Sequence, residues 1–228
     1  MNTKIIAIAN QKGGCGKTTV TMHLAGALGL DGYKIQVIDA DKQGTATRWA
    51  SSAAEDKPFP AVFAGLSNAG EKVHREVKKY IGEYDFIIID CPPAVESPIP
   101  QSALMISDLV IVPIIPSPAD VWASVGMQQL IERMKDINET LEARVIANMC
   151  QITTNLNEEV INLLKEKEFG IKKLEANICL RTSYRQCQLI GGTVFDLEDT
   201  GSKKAITEVK AFKNEVLSIL KIKNKKKK

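Results

Sequence analysis

The sequence predicts a single α/β domain in which a mostly parallel, twisted sheet carries helices on both faces, and three observations point there. Five short runs, residues 4–9, 35–39, 85–90, 108–113 and 144–149, are β-branched and apolar on nearly every residue rather than on alternate ones. That is the pattern of strands buried on both faces, as in a parallel sheet. Segments with helical spacing lie between the runs, as right-handed crossovers between parallel strands require. The 228 residues also contain no internal repeat and no Pro/Gly/Ser linker long enough to divide them. One domain of that size buries about 70% of its unfolded surface, so no disulfide or metal staple is needed.

Composition excludes several other classes. Hydrophobic residues make up 44% and charged residues 25%, ordinary for a globular chain and unlike a disordered one. Apolar stretches such as residues 5–9 fall short of the roughly 18 residues that a membrane-spanning helix needs. Residues 1–4 and the brief apolar run after them do not make a secretory signal, so a cytoplasmic protein is expected. Cys15, Cys91, Cys150, Cys179 and Cys187 are scattered without a Cys-x-x-Cys pair, and His23 and His74 are the only histidines. This argues against a disulfide framework or a zinc site. The net charge is +3, but six of the lysines stand at 221, 223 and 225–228, leaving 24 basic against 27 acidic residues in 1–220. The basic character is concentrated in a tail.

After the first run comes Gln11-Lys12-Gly13-Gly14-Cys15-Gly16-Lys17-Thr18-Thr19, opening into a segment where Val20, Leu24, Ala27 and Leu28 share one helical face. A Gly-rich turn at a helix amino terminus aims several backbone N–H groups into one concavity, and the helix dipole adds to its affinity for anions. Lys17 is placed to reach phosphates, and the Thr18 hydroxyl to ligate Mg²⁺. The usual phosphate-loop pattern has Gly where this chain has Gln11, with Lys12 beside it.

The second run ends in Ile38-Asp39-Ala40-Asp41-Lys42-Gln43-Gly44. Unpaired buried carboxylates are costly, so a cation or water is expected beside Asp39 and Asp41; Asp41 alternatively caps a helix beginning near Gly44. Residues 51–70 are rich in loop signals, with Pro58, Pro60, Gly65 and Gly70. The third run closes on Asp90, followed by Cys91, Pro92 and Pro93. Cys91 has no adjacent histidine and an acid beside it, so it is read as packing. Residues 97–100 and 113–118 are Pro-punctuated turns after strand ends, where ligands sit in open α/β sheets. Met127, Leu130, Ile131 and Met134 mark a further helix, as do Val160, Leu163 and Leu164. From Ala205 onward Ile206, Val209, Phe212, Val216, Leu217 and Leu220 fall at helical spacing, read as the last core element before a flexible lysine tail that aids nucleic-acid binding.

Residues 12–19, Lys-Gly-Gly-x-Gly-Lys-Thr-Thr, resemble the deviant phosphate loop of the ParA/MinD partition ATPases, with Lys12 in the place of that family's extra lysine. Residues 39–43 are similar to its Asp-x-Asp-Pro-Gln motif with Lys42 for Pro, and residues 85–90 to a Walker B strand. Residues 107–113 and 116–120 are similar to small plasmid-type, ParF-like members, and the likeness runs from residue 4 to about 220. The resemblance implies a P-loop NTPase fold over 1–220 with a basic tail at 221–228. It implies ATP and Mg²⁺ as ligands, held by Lys12, Gly13, Gly14, Cys15, Gly16, Lys17, Thr18 and Thr19, with Thr18, Asp39 and Asp90 around the metal. Lys12 would cross an ATP-dependent homodimer to the partner subunit's nucleotide, Lys17 would bind the phosphates, and Asp41 would orient the attacking water. Asn148 contacts adenine by analogy, or equally caps its strand end.

The activity implied is slow, partner-stimulated hydrolysis of ATP to ADP and phosphate. The function implied is segregation of a plasmid or chromosome region by a nucleoid-associated dimer that binds DNA without sequence preference, with a ParB-like centromere-binding partner. Arg181, Arg185, Lys203 and Lys204 are the candidates for DNA contact, which needs no base code; the alternative for each is a solvated or intrachain-paired side chain. No helix-turn-helix segment precedes the loop, so direct operator reading is not expected. No stable membrane association is expected either. A MinD-like membrane-associated ATPase, a cargo-positioning ATPase such as those serving carboxysomes, and a metabolic synthetase remain as alternatives.

Overall fold

The computed structural model describes residues 3–93, 97–151, 155–166, 169–223 and 225. Seven strands form one sheet in the order β3-β2-β4-β1-β5-β6-β7, and every pair in it is parallel. The strands are β1 Lys4–Ile8, β2 Ile35–Asp39, β3 Val62–Gly65, β4 Phe86–Asp90, β5 Leu109–Ile114, β6 Glu142–Cys150 and β7 Lys173–Cys179. Five coincide with the predicted runs to within a residue or two.

The other two, β3 and β7, are the sheet edges, and their position explains why they escaped a search for wholly apolar runs. The four residues of β3 are partly or fully exposed and lie inside the stretch expected to be loop. Glu175 and Asn177 interrupt β7, as an edge facing water on one side allows. Pro113 also lies in β5, opposite Ile146, rather than in a turn. It sits beyond Ile111, the last residue of β5 paired to β1, so its missing N–H costs no bond on that side.

Side chains alternate between two cores. Ile6 and Ile8 of β1 with Phe86 and Ile88 of β4 face one layer, made of α1 (Lys17–Leu30), α2 (Thr45–Ser51), α8 (Thr182–Leu189) and α9 (Ser202–Ile219). Ile5, Ala7, Ile87 and Ile89 face the other, made of α3 (Val73–Lys78), α4 (Ile99–Leu104), α5 (Pro118–Ala123), α6 (Val125–Lys135) and α7 (Asn155–Leu163). Two of these helices replace expected turns: α4 follows Pro98, and α5 begins at Pro118 after Ser117, whose Oγ accepts the Asp120 N–H at 3.2 Å. Proline suits a first helical turn because its missing N–H would have no partner there.

Helix α1 departs from the single apolar face its sequence suggested, being buried continuously from Val20 to Leu28. Thr193 and α9 cover its outer side so closely that a Cβ on Gly26 would meet Thr193 Cγ2 at 2.2 Å. Within α7 the stripe holds at Val160, whereas Leu163 is exposed. Helix α9 is a core element as expected, with Val209, Phe212, Val216 and Leu217 buried.

The tail differs from the free segment expected. Tyr33 Oη donates to the Lys223 carbonyl at 2.9 Å, and Lys225 Nζ pairs with Asp85 at 2.9 Å while standing 4.4 Å over the Tyr33 ring. Part of the basic stretch is therefore docked on the domain, and residues 224 and 226–228 lie outside the described residues. No helix among the described residues is long and apolar enough to cross a membrane.

Candidate functional site

Because β4 lies between β2 and β1 in register, the carboxyl ends of β2 and β4 bring their acids side by side next to the end of β1: Asp90 stands opposite both Asp39 and Ile8. The chain leaves β1 there and turns through the Gly-rich loop into α1. Asn10 anchors the turn, donating through Nδ2 to the Pro113 carbonyl at 2.6 Å and accepting the Lys12 N–H at 3.2 Å. Gly14 and Gly16 have φ of 74° and 84°, the left-handed region that favours glycine. Gly16, the residue before α1, has no room for a side chain either, since a Cβ would fall 2.2 Å from Asn148 Nδ2.

Lys17 is 7% exposed, and its ammonium is held 3.0 Å from the Lys12 carbonyl. Thr18 donates to Asp90 Oδ2 at 2.7 Å, and Thr21, one turn further along α1, donates to Oδ1 at 3.2 Å. Burial pushes the Asp90 carboxyl up to about 7; the Thr18 hydrogen bond opposes this and the charge of Asp39 adds to it. On Asp39, Oδ2 accepts both the backbone and the hydroxyl of Thr47 at 2.9 Å, while Oδ1 is buried without a partner among the described residues. A buried carboxylate oxygen left open beside a second acid and a threonine hydroxyl is an oxygen-donor set suited to a hard divalent cation with its water.

Asp41 does not cap α2, whose preceding residue is Gly44. Its Oδ1 accepts the Gln43 N–H at 2.9 Å, and the side chain borders a cavity of about 520 Å³ with Lys42, Asn68, Pro92 and Pro93. Asn148 donates to the Cys15 carbonyl at 2.7 Å, bracing the loop, and its Oδ1 is buried without a partner among the described residues. With Thr19, Met149, Arg181 and Tyr184 it lines a cavity of about 110 Å³ beside the loop. Cys91 is buried and its thiol is pushed up by burial and by Asp90, in keeping with a packing role.

The lysine beside the loop is engaged within its own chain: Lys12 Nζ lies 2.8 Å from Asp120 Oδ1. The four basic residues suggested for DNA contact fall at the neighbouring starts of α8 and α9, where Gly201 approaches Ser183. Arg185, Lys203 and Lys204 are exposed. Arg181 is not an open surface charge, because its guanidinium pairs with Glu208 at 2.5 Å, which also accepts from Tyr184 Oη at 2.9 Å.

Sequence reasoning missed Thr21, Asp120 and Glu208. The spacing of Thr21, three residues after Thr18 on one helical face, was a usable signal. For the two acids nothing local indicated a partner.

A Gly-rich loop between the first strand and helix, a buried lysine folded back on it, and acids at the ends of two adjacent strands define a P-loop nucleotide-binding protein. Residues 6–189 match the family described as the CobQ/CobB/MinD/ParA nucleotide binding domain, and the chain belongs to that family. It is similar to the Maintenance of carboxysome distribution protein A of Halothiobacillus neapolitanus, 28% identical over 214 residues that cover 93% of this chain and 95% of that one. It is similar also to the Chromosome partitioning protein ParA of Caulobacter vibrioides, 27% identical over 245 residues, covering 88% and 90%. Among solved structures, an ATP complex of McdA from Cyanothece superposes with a TM-score of 0.80 at 20% identity, covering 97% of each chain.

Proposed function

We propose that this chain is an ATPase that closes into a homodimer around ATP and Mg²⁺, binds DNA without sequence preference in that state, and so distributes a cargo over DNA. The observation that carries the reading is the gathering of Lys17 and Thr18 of the loop with Asp90 and its neighbour Asp39, whose Oδ1 is buried without a partner among the described residues. Backbone N–H groups of residues 13–19 bind the phosphates, and Lys17 exchanges the Lys12 carbonyl for phosphate oxygens. A bound Mg²⁺ would neutralise charge on those phosphates. Thr18, released from Asp90, would ligate it, with Asp39 and Asp90 holding its waters. Asp41, fixed by its turn at the edge of the 520 Å³ cavity, orients the attacking water. Asn148 offers its open Oδ1 to the adenine amino group. Lys12 reaches the nucleotide of the second copy, so turnover depends on association.

Arg185, Lys203 and Lys204 form the DNA-contacting patch of the dimer, with Arg181 contributing less because Glu208 neutralises it. The cargo is a plasmid or chromosome region marked by a ParB-like partner that stimulates hydrolysis, in a nucleoid-associated cycle. The Halothiobacillus relative, matched over nearly its whole length, favours a second reading in which the cargo is a protein body and the partner is its adaptor.

The test replaces the proposed water-orienting acid. Asp41→Ala is expected to keep ATP binding and the nucleotide-dependent dimer while phosphate release falls by about 10²-fold or more. A variant that binds ATP but stays monomeric in sedimentation refutes that role. Pelleting with DNA against pelleting with liposomes, both in ATP, separates this reading from a membrane-bound one.

A further inference from the structure

The corner between α5 and α6 is packed on the two residues that make this phosphate loop unusual. A Cβ on Gly126, in the first turn of α6, would lie 2.2 Å from Gln11 Oε1. On the preceding helix, α5, Asp120 Oδ1 holds Lys12 Nζ at 2.8 Å. Asp120 is only 8% exposed, and its orientation is set from the other side: Ser117 Oγ donates to Oδ2 at 2.5 Å and accepts the Asp120 N–H. The Lys12 side chain is 41% exposed. The pair therefore joins a fixed, nearly buried anion to a lysine that is free to leave on its solvent side.

We propose that Asp120 is a positioning residue that latches Lys12 inside its own subunit until a second copy presents a nucleotide with enough negative charge to draw it away. The inference rests on the trans role given to Lys12 above. When Lys12 leaves, Asp120 keeps only the Ser117 hydroxyl and its own backbone, and a nearly buried carboxylate stripped of its cation is unfavourable. The triphosphate offsets that cost better than the diphosphate, because it presents a further charged phosphoryl group at the seam. Asp120 thus sharpens the dependence of dimerisation on which nucleotide is bound.

Sedimentation with Mg²⁺ and either a non-hydrolysable ATP analogue or ADP tests the latch. Asp120→Asn is expected to dimerise with the analogue at roughly five- to tenfold lower protein concentration, the population cost of a mostly latched lysine. It is also expected to form some dimer with ADP. Asp120→Glu, which keeps the charge, should return toward the parent. If Asp120→Asn fails to fold, Asp120→Ser serves in its place with the same expectation. Dimerisation equal to or weaker than the parent, at an unchanged melting temperature, overturns the latch. Lys12→Ala separates the two readings: if it dimerises normally, the trans role is wrong; if it stays monomeric while Asp120→Asn is unchanged, only the latch falls.

Discussion

His23 stands in the middle of α1, 2% exposed, edge-on to Trp49 at 5.7 Å and to Tyr184 at 4.9 Å between ring centroids. Neither of its ring nitrogens has a partner among the described residues. Burial drives its pKa down to about 3, with Asp196 pulling weakly the other way. The folded state thus holds the ring neutral, whereas the unfolded chain takes up a proton below about 6.5. Stability is therefore lost as pH falls from 6.5 toward 3, at about 1.4 kcal/mol per unit for this one group. His23→Leu should leave stability near pH 7.5 unchanged or higher and flatten the acid-side decline, read by urea unfolding at pH 7.5 and pH 5; an equally steep decline would assign it to other groups. Residue-scale chemistry was legible where neighbours in space were neighbours in sequence: Gly14, Gly16, Lys17 and Thr18 are one turn of chain. It was not legible for Asp120, which meets Lys12 across more than a hundred residues.

Among the elements, α9 is a terminal amphipathic helix that belongs to the core rather than lying free to meet a membrane surface. Its apolar stripe is buried against β7 and α1, and Lys213, 8% exposed, pairs with Asp31 at the end of α1. Phe212, fully buried, is the test: Phe212→Ala should cost about 3–5 kcal/mol in denaturant unfolding, as a large core cavity does. A membrane-lying helix would show no such loss. Buried strands were legible because both of their faces must be apolar. The edges β3 and β7 were not, since one-sided contact leaves room for Glu175 and Asn177 and a four-residue strand carries too little pattern. The Pro-marked segments were read as turns because proline signals both a stop and a first helical turn, and only the following residues' packing distinguishes them.

At the scale of the whole molecule, the proposed DNA binding requires a local patch, because the chain is acidic over residues 1–220. The neighbouring starts of α8 and α9 bring Arg185, Lys203 and Lys204 to one end, while Lys225 is drawn onto Asp85 and Tyr33. A chain ending at Lys221 should bind DNA more weakly in ATP, with the slope of log affinity against log salt shallower by about 0.9 for each DNA phosphate the missing lysines would have neutralised. Unchanged affinity and slope would leave the work to α8 and α9 alone.

By itself the sequence determined the parallel α/β class, the phosphate loop and the acids at the strand ends, because each depends on the backbone geometry of a few consecutive residues and on burial of a continuous apolar run. Tertiary structure alone decided that Lys12 meets Asp120, that Thr21 joins Thr18 on Asp90, that Arg181 is neutralised by Glu208 and that Lys225 docks on Tyr33. Those pairings follow from strand order and helix packing, which bring together charges whose separation along the chain carries no record of their distance in space.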